Sequence, residues 1–165
     1  MKYWVFLSFL ISSPLFANNL LGAWSYCEIE KGELFSIEHV FEFDKNNVVF
    51  EHIVMYEKSH FPCQGKVEIA TGNYSHYEIQ DNKLNFTKIS TFIIPGIDFW
   101  VKEFNKTKMC GHENWKNLKR FECESDKSGL ISAGRGHKKV YEYEVVGEEL
   151  RATRNNNTTI YKKIR

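Results

Sequence analysis

Leu20-Leu21-Gly22-Ala23-Trp24 is the stretch from which the rest of the chain is read. A glycine two residues before a tryptophan, where the first strand pattern begins, suits the closed end of a small antiparallel barrel. Glycine adopts backbone conformations that other residues resist, so the chain can bend sharply into the strand. The indole then has the bulk to cover the barrel's end. The chain beyond Trp24 is a succession of short strand patterns and turns that can wrap around that tryptophan.

Gly22 to Glu30 reads as the first strand. Phe35, Ile37, His39, Phe41 and Phe43 then fall on one face, with Ser36, Glu38, Glu42 and Asp44 on the other, which is the period of a half-buried strand. Asp44-Lys45-Asn46-Asn47 is turn chemistry. Beyond it Val48, Phe50, His52, Val54 and Tyr56 are expected on the inner face of the return strand, completing a hairpin. Tyr77-Glu78-Ile79-Gln80-Asp81-Asn82-Lys83-Leu84 aligns without gaps on Tyr143-Glu144-Val145-Val146-Gly147-Glu148-Glu149-Leu150, so one hairpin type is used twice. Asn155-Asn156-Asn157 turns the chain into a last strand, Thr158 to Ile164. In the middle, the apolar run from Phe92 to Val101 reads as a core strand at its Phe99 end. Trp115, Leu118 and Phe121, spaced by three, allow a short helix over 112–121. Ser125 to Gly136 reads as a loop.

The chain of 165 residues suits one domain, here 18–165, and its hydrophobic content of 42% is enough for a packed core. Residues 1–17 are read as a secretory signal peptide: Lys2, an apolar run from Tyr3 to Ile11, a break at Ser12-Ser13-Pro14, and Ala17 at the cleavage site. The expected location is therefore outside the cytoplasm, periplasmic or secreted. No stretch has the length and apolarity of a membrane span. Cleavage removes Lys2 and no acid, taking 22 basic residues to 21 against 21 acidic ones, a net charge of zero. That balance argues against a general binder of nucleic acid or of anionic membranes. The four cysteines, Cys27, Cys63, Cys110 and Cys123, imply two disulfides in an exported chain. Three connectivities exist, and the pairing Cys27–Cys63 with Cys110–Cys123 closes each loop within one half of the chain.

Gly22-x-Trp24, the repeated Tyr-Glu hairpin and the closing Ile160-Tyr161-Lys162-Lys163-Ile164 together resemble the small exported lipocalin-like domains of bacteria, within the calycin group. The resemblance covers most of the chain after the signal peptide. It implies an all-β protein: a single antiparallel up-and-down lipocalin-like β-barrel of about 8–10 strands, whose interior takes one small, largely apolar molecule.

The residues singled out for that ligand are His39, His52, Phe41, Phe50 and Tyr56. A four-residue loop at 44–47 sets His39 directly opposite His52, and a two-residue turn at 46–47 makes them diagonal neighbours. Both registers put the two imidazoles on one apolar face, as a polar spot for a head group or as hydrogen-bonded core histidines. The cysteines lack metal-site spacing, and neither a cofactor nor a metal is expected. No nucleophile motif stands out, so no catalytic residue is assigned. The competing function is a partner-binding or inhibitor module that acts through its loops around a filled barrel. An intact mass of the exported protein should start near Asn18; a mass that retains Met1 contradicts the signal-peptide reading.

Overall fold

The turns dictate how this chain folds back on itself. The computed structural model describes residues 19–29, 35–57, 59, 61–123 and 134–164; the expected signal peptide and most of the 125–136 loop lie outside them. The strands are β1 (Gly22–Glu28), β2 (Phe35–Phe43), β3 (Val48–Glu57), β4 (Val67–Gln80), β5 (Lys83–Pro95), β6 (Phe121–Cys123), β7 (Lys138–Val146), β8 (Glu149–Arg154) and β9 (Asn157–Lys163). One helix, α1 (Asp98–Thr107), lies between β5 and β6. Three hairpins close on two residues each: Gln80 pairs with Lys83, Val146 with Glu149, and Arg154 with Asn157. Asp81, Asn82, Asn155 and Asn156 have positive φ, as does Gly147. These residue types tolerate the left-handed backbone that the favoured two-residue hairpin turns require. The two copies of the repeated hairpin are thus the β4–β5 and β7–β8 turns.

Pairing runs β1–β2–β3–β4–β5, then β7–β8–β9, and β9 returns to β1, which closes an eight-stranded antiparallel up-and-down barrel. The three-residue β6 pairs with β5 alongside this circuit. Closure removes the free sheet edges that otherwise invite aggregation. Gly22 enters β1 at φ 110, a conformation other residues avoid. Trp24 and Leu20 are both fully buried, and Trp24 Nε1 donates to the Leu20 carbonyl at 2.7 Å. Around Trp24 the closed end is packed with Phe41, Phe43, Tyr77, Phe86, Tyr141, Leu150 and Tyr161.

The β2–β3 turn departs from both expected registers. It has three residues, Lys45, Asn46 and Asn47, with Asn47 left-handed at φ 58 and the Asp44 N–H donating to the Val48 carbonyl. Phe43 therefore pairs with Val49, His39 with Ile53 and Val40 with His52. A shift of one residue moves every side chain of β3 to the opposite face. The inward set is Val49, Glu51, Ile53 and Met55; Val48, Phe50, His52, Val54 and Tyr56 point outward. His39 and His52 do not share a face. The inward face of β2, with His39 and Phe41, is as expected: Phe41 meets Phe86, Tyr141 and Tyr161 from across the barrel.

Beyond Pro95 the expected strand at Phe99 is instead α1. Gly96 still lies against β4: its N–H binds the Glu68 carbonyl, and a Cβ there would lie 2.0 Å from the Val67 carbonyl oxygen; the chain then bends at Ile97 into the helix. The expected helix over 112–121 is instead an irregular loop that runs into β6 at Phe121; the helix lies ahead of it, followed by a short 3₁₀ turn at Met109–Gly111. Trp115 and Phe121 pack with Phe104, Met109, Ile69 and Ile93 in a second core at the open end of the barrel, under α1. Leu118 is exposed. The disulfides are Cys27–Cys63 and Cys110–Cys123. The first ties the outer side of β1 to the β3–β4 loop, and the second ties the segment after α1 to β6. Each is worth about 3–4 kcal/mol in the chain-entropy description.

Phe41→Ala and Phe86→Ala should each lower the free energy of unfolding in urea by about 3–5 kcal/mol, because each leaves a cavity in a packed interior. Phe50→Ala, on the outer wall, should cost markedly less. Equal losses at the three positions would contradict the register.

Candidate functional site

Antiparallel pairing sets the inward side chains in rows across neighbouring strands. One row is Tyr26, His39, Ile53, Thr71 and Ile93, on β1 to β5 in turn. Ile93 lies under α1 and is fully buried. At the other end of the row Tyr26 is 37% exposed and Ile53 41%, although both point inward. The interior is therefore covered by the helix on the β4–β5 side and open to solvent over β1, β2 and β3. The reason lies in strand length. β9 pairs with β1 only at Trp24 and Ser25, so the wall beside Tyr26 and Glu28 ends early. The result is an open trough whose inner face carries Tyr26, His39, Ile53 and Thr71. At its rim His39 Nε2 stands 3.4 Å from the Glu28 carboxylate, and the His39 ring lies 6.1 Å from that of Tyr26.

The floor of the trough is ionic. The next row down carries Glu51, which reaches across the barrel to β7. Lys139 Nζ lies 2.7 Å from one carboxylate oxygen, and the Tyr141 hydroxyl donates to the other at 3.1 Å. Both charged groups are largely shielded, with side-chain exposures of 15% and 18%. Nearby are Asn73, which accepts a hydrogen bond from the Thr91 hydroxyl, and Lys88, 5% exposed. Burial, with the Lys139 charge beside it, lowers the Lys88 ammonium below its ordinary range despite the pull of Glu51. Burial and the Glu51 charge push the Tyr141 hydroxyl far above the ordinary phenol range.

At this level the wall forks. β5 pairs with β7 through 83–87 and with β6 through 91–93. Between them Ile89 is bulged out of the β4–β5 ladder, where Tyr74 pairs with Ser90 and Ser75 with Lys88. The gap is held by Lys88 N–H donating to the His137 carbonyl and by Arg135 Nε donating to the Ile89 carbonyl. A cavity of 390 Å³ opens there, lined by Lys88, Thr91, Glu122, Cys123 and Arg135 among others. Its lining joins the buried interior at Lys88 and Thr91 to the outer surface at Glu122.

The expected site residues are thus divided. His39 lies at the trough and Phe41 in the packed floor below it. Phe50 and His52 are on the outer wall, their rings 4.5 Å apart, where Phe50 also stacks on Tyr74 and Phe92. The Tyr56 hydroxyl, also outside, donates to Glu38. The sequence reading missed Tyr26, Glu51, Ile53, Lys88 and Lys139. The available signal was a single acid, Glu51, alternating with Val49, Ile53 and Met55. The richer aromatic content of Phe50 and Tyr56 masked it. No protein-family profile matches this chain, and no curated protein matches it in sequence.

The buried phenols make a pH prediction. Tyr56, Tyr77, Tyr141, Tyr143 and Tyr161 all have hydroxyls raised above the ordinary value of 10.0. The folded protein then keeps protons that the unfolded chain releases, so stability is intact below the ordinary phenol value and falls as pH rises past it. Ultraviolet titration of tyrosinate should show the three buried groups, Tyr77, Tyr141 and Tyr161, ionising only together with loss of the fold. Titration of these three near 10.0 in the still-folded protein would contradict the buried placement.

Proposed function

We propose that this protein is an exported, lipocalin-like binding protein that holds one small amphipathic molecule, mainly apolar, in the open half of its barrel. The observation that carries the reading is the row Tyr26, His39 and Ile53: inward-facing, partly open to solvent and mixed aromatic and aliphatic, above a largely shielded Glu51–Lys139 pair. Concave sites of this kind typically combine an apolar wall with a few fixed polar groups. The ligand's body lies against Ile53 and Tyr26. Its polar end reaches His39 and the ionic floor. Two disulfides in one short chain support an oxidising, extracytoplasmic setting. Binding is favoured over catalysis, because the polar groups here are paired with one another.

A second reading is favoured by the packing of the closed end, where seven aromatic rings leave the lower barrel filled. On that reading the protein works through its loops as a partner-binding or inhibitor module.

Native mass spectrometry on protein drawn gently from its exported fraction separates the two. Ile53→Arg places a charge in the trough without disturbing the core, and Val140→Arg does the same on the outer wall as a control. The trough reading predicts a small-molecule adduct in the wild type and in Val140→Arg, lost in Ile53→Arg at an unchanged melting temperature. An adduct that survives Ile53→Arg, or its absence from all three proteins, contradicts it.

A further inference from the structure

Along β8 the inward side chains are Leu150, Ala152 and Arg154, the first two packed in the closed-end core. Arg154 is the last residue of the strand, one step beyond the pair Thr153–Glu142, and its guanidinium lies 5.8 Å from the centre of the Tyr141 ring. β8 and β9 turn back there through Asn155 and Asn156, whereas β5 runs on from Leu84, the partner of Tyr141, to Pro95. Arg154 therefore stands on the low side of the barrel wall, facing the interior. We propose, taking the trough as the binding site, that its occupant carries a carboxylate head and that Arg154 is the residue that recognises it.

The acids of the open half are otherwise engaged. At the rim Glu28 stands against His39 at 3.4 Å and Glu57 against Lys66 at 3.8 Å. In the floor Glu51 holds Lys139 with one carboxylate oxygen and the Tyr141 hydroxyl with the other. Among the described residues no acid forms an ion pair with Arg154. Arg151, on the outer face of the same strand, is the contrast: Glu144 and Glu149 both hold it. Lys88 and Lys139 share the floor with Glu51, so the space around Arg154 favours an anion over a cation.

The platform beneath the guanidinium is fixed in advance. The Tyr141 hydroxyl donates to Glu51, and its ring packs on Phe41 and Phe86. A ring under one face of an arginine leaves the forked N–H donors in its plane available, and that fork matches the two oxygens of a carboxylate. Holding the platform rigid lowers the entropy lost when a ligand is clamped. An aromatic floor also joins the two ends of the site. Tyr26 meets Tyr161 at 6.3 Å, and Phe41 meets Tyr161 and Tyr141 at 4.8 and 5.7 Å. An apolar body laid along that floor keeps its tail at Ile53 and Tyr26 and its head at Arg154.

The test is isothermal titration calorimetry of the protein with three probes that share one tail: decanoate, decanol and decyltrimethylammonium. Wild type should bind decanoate most tightly and decyltrimethylammonium least. Arg154→Gln should weaken decanoate about ten- to a hundredfold, the worth of a hydrogen bond to a charged group, with decanol binding and the melting temperature unchanged. Arg154→Lys keeps the charge and should recover part of the loss, and Arg151→Gln should change nothing. Ile53→Asn removes an apolar side chain from the trough and should weaken decanoate and decanol alike. Decanol bound as tightly as decanoate, or decanoate held equally by Arg154→Gln, with both probes still weakened by Ile53→Asn, would overturn the carboxylate proposal and leave the trough standing. No binding of any probe, or binding indifferent to Ile53→Asn, would overturn both.

Discussion

The left-handed Asn47 decides which side of β3 faces the barrel. The Asp44 carboxylate accepts from the N–H groups of Asn46 and Val48, at 2.8 and 2.9 Å, and fixes a three-residue turn. Burial is the largest single influence and raises the Asp44 carboxyl, but these donors, with the Asn46 amide and the Lys45 charge, together outweigh it and hold the group below the usual carboxylate range. Strand faces alternate with a period of two, so a loop one residue longer or shorter would turn β3 over. Glu51 would then stand outside, and Phe50, His52 and Tyr56 would crowd a floor already filled by aromatic rings. The observed register avoids that overpacking, which is as destabilising as a cavity. It also brings the single acid of the inner face within reach of Lys139 and Tyr141.

The outer wall shows the same register from the other side. Gly72 pairs with His52 and Phe92, and a methyl group there would sit 2.5 Å from the Phe92 ring and 2.6 Å from His52 Cβ. The glycine is the notch into which Phe92 folds, and Phe50 and Tyr74 close over it. Phe92 is 1% exposed although it points away from the barrel. His52 therefore belongs to a structural stack, while His39 belongs to the trough. An ion pair buried like Glu51–Lys139 adds little net stability. Its presence in the floor fits a role in orienting whatever the trough holds.

Much of the fold was legible from residue chemistry. Gly22 and Trp24 mark the closed end, Asp81-Asn82 and Asn155-Asn156 mark two-residue hairpins, and alternation along 35–43 gives the inner face of β2. The disulfide pairing came from keeping each crosslink local. The β3 face was misread because both of its faces carry apolar residues, so hydrophobicity could not choose between them. Turn chemistry could have, since asparagine just before a strand is suited to the left-handed position of a three-residue turn. The helix was misplaced for a related reason. The spacing of Trp115, Leu118 and Phe121 resembles a helical face, yet Trp115 packs inward from an irregular loop, Phe121 packs inward from β6, and Leu118 projects into solvent. The trough itself depends on where β9 stops pairing with β1, a tertiary event with no local signature.

The most direct measurement is the set of cross-strand nuclear Overhauser contacts between β2 and β3 in the folded protein. The three-residue turn predicts backbone contacts that pair His39 with Ile53 and Val40 with His52, together with side-chain contacts from Glu51 to Tyr141. Contacts that pair His39 with His52, with Phe50 meeting Phe41 inside the barrel, would contradict it.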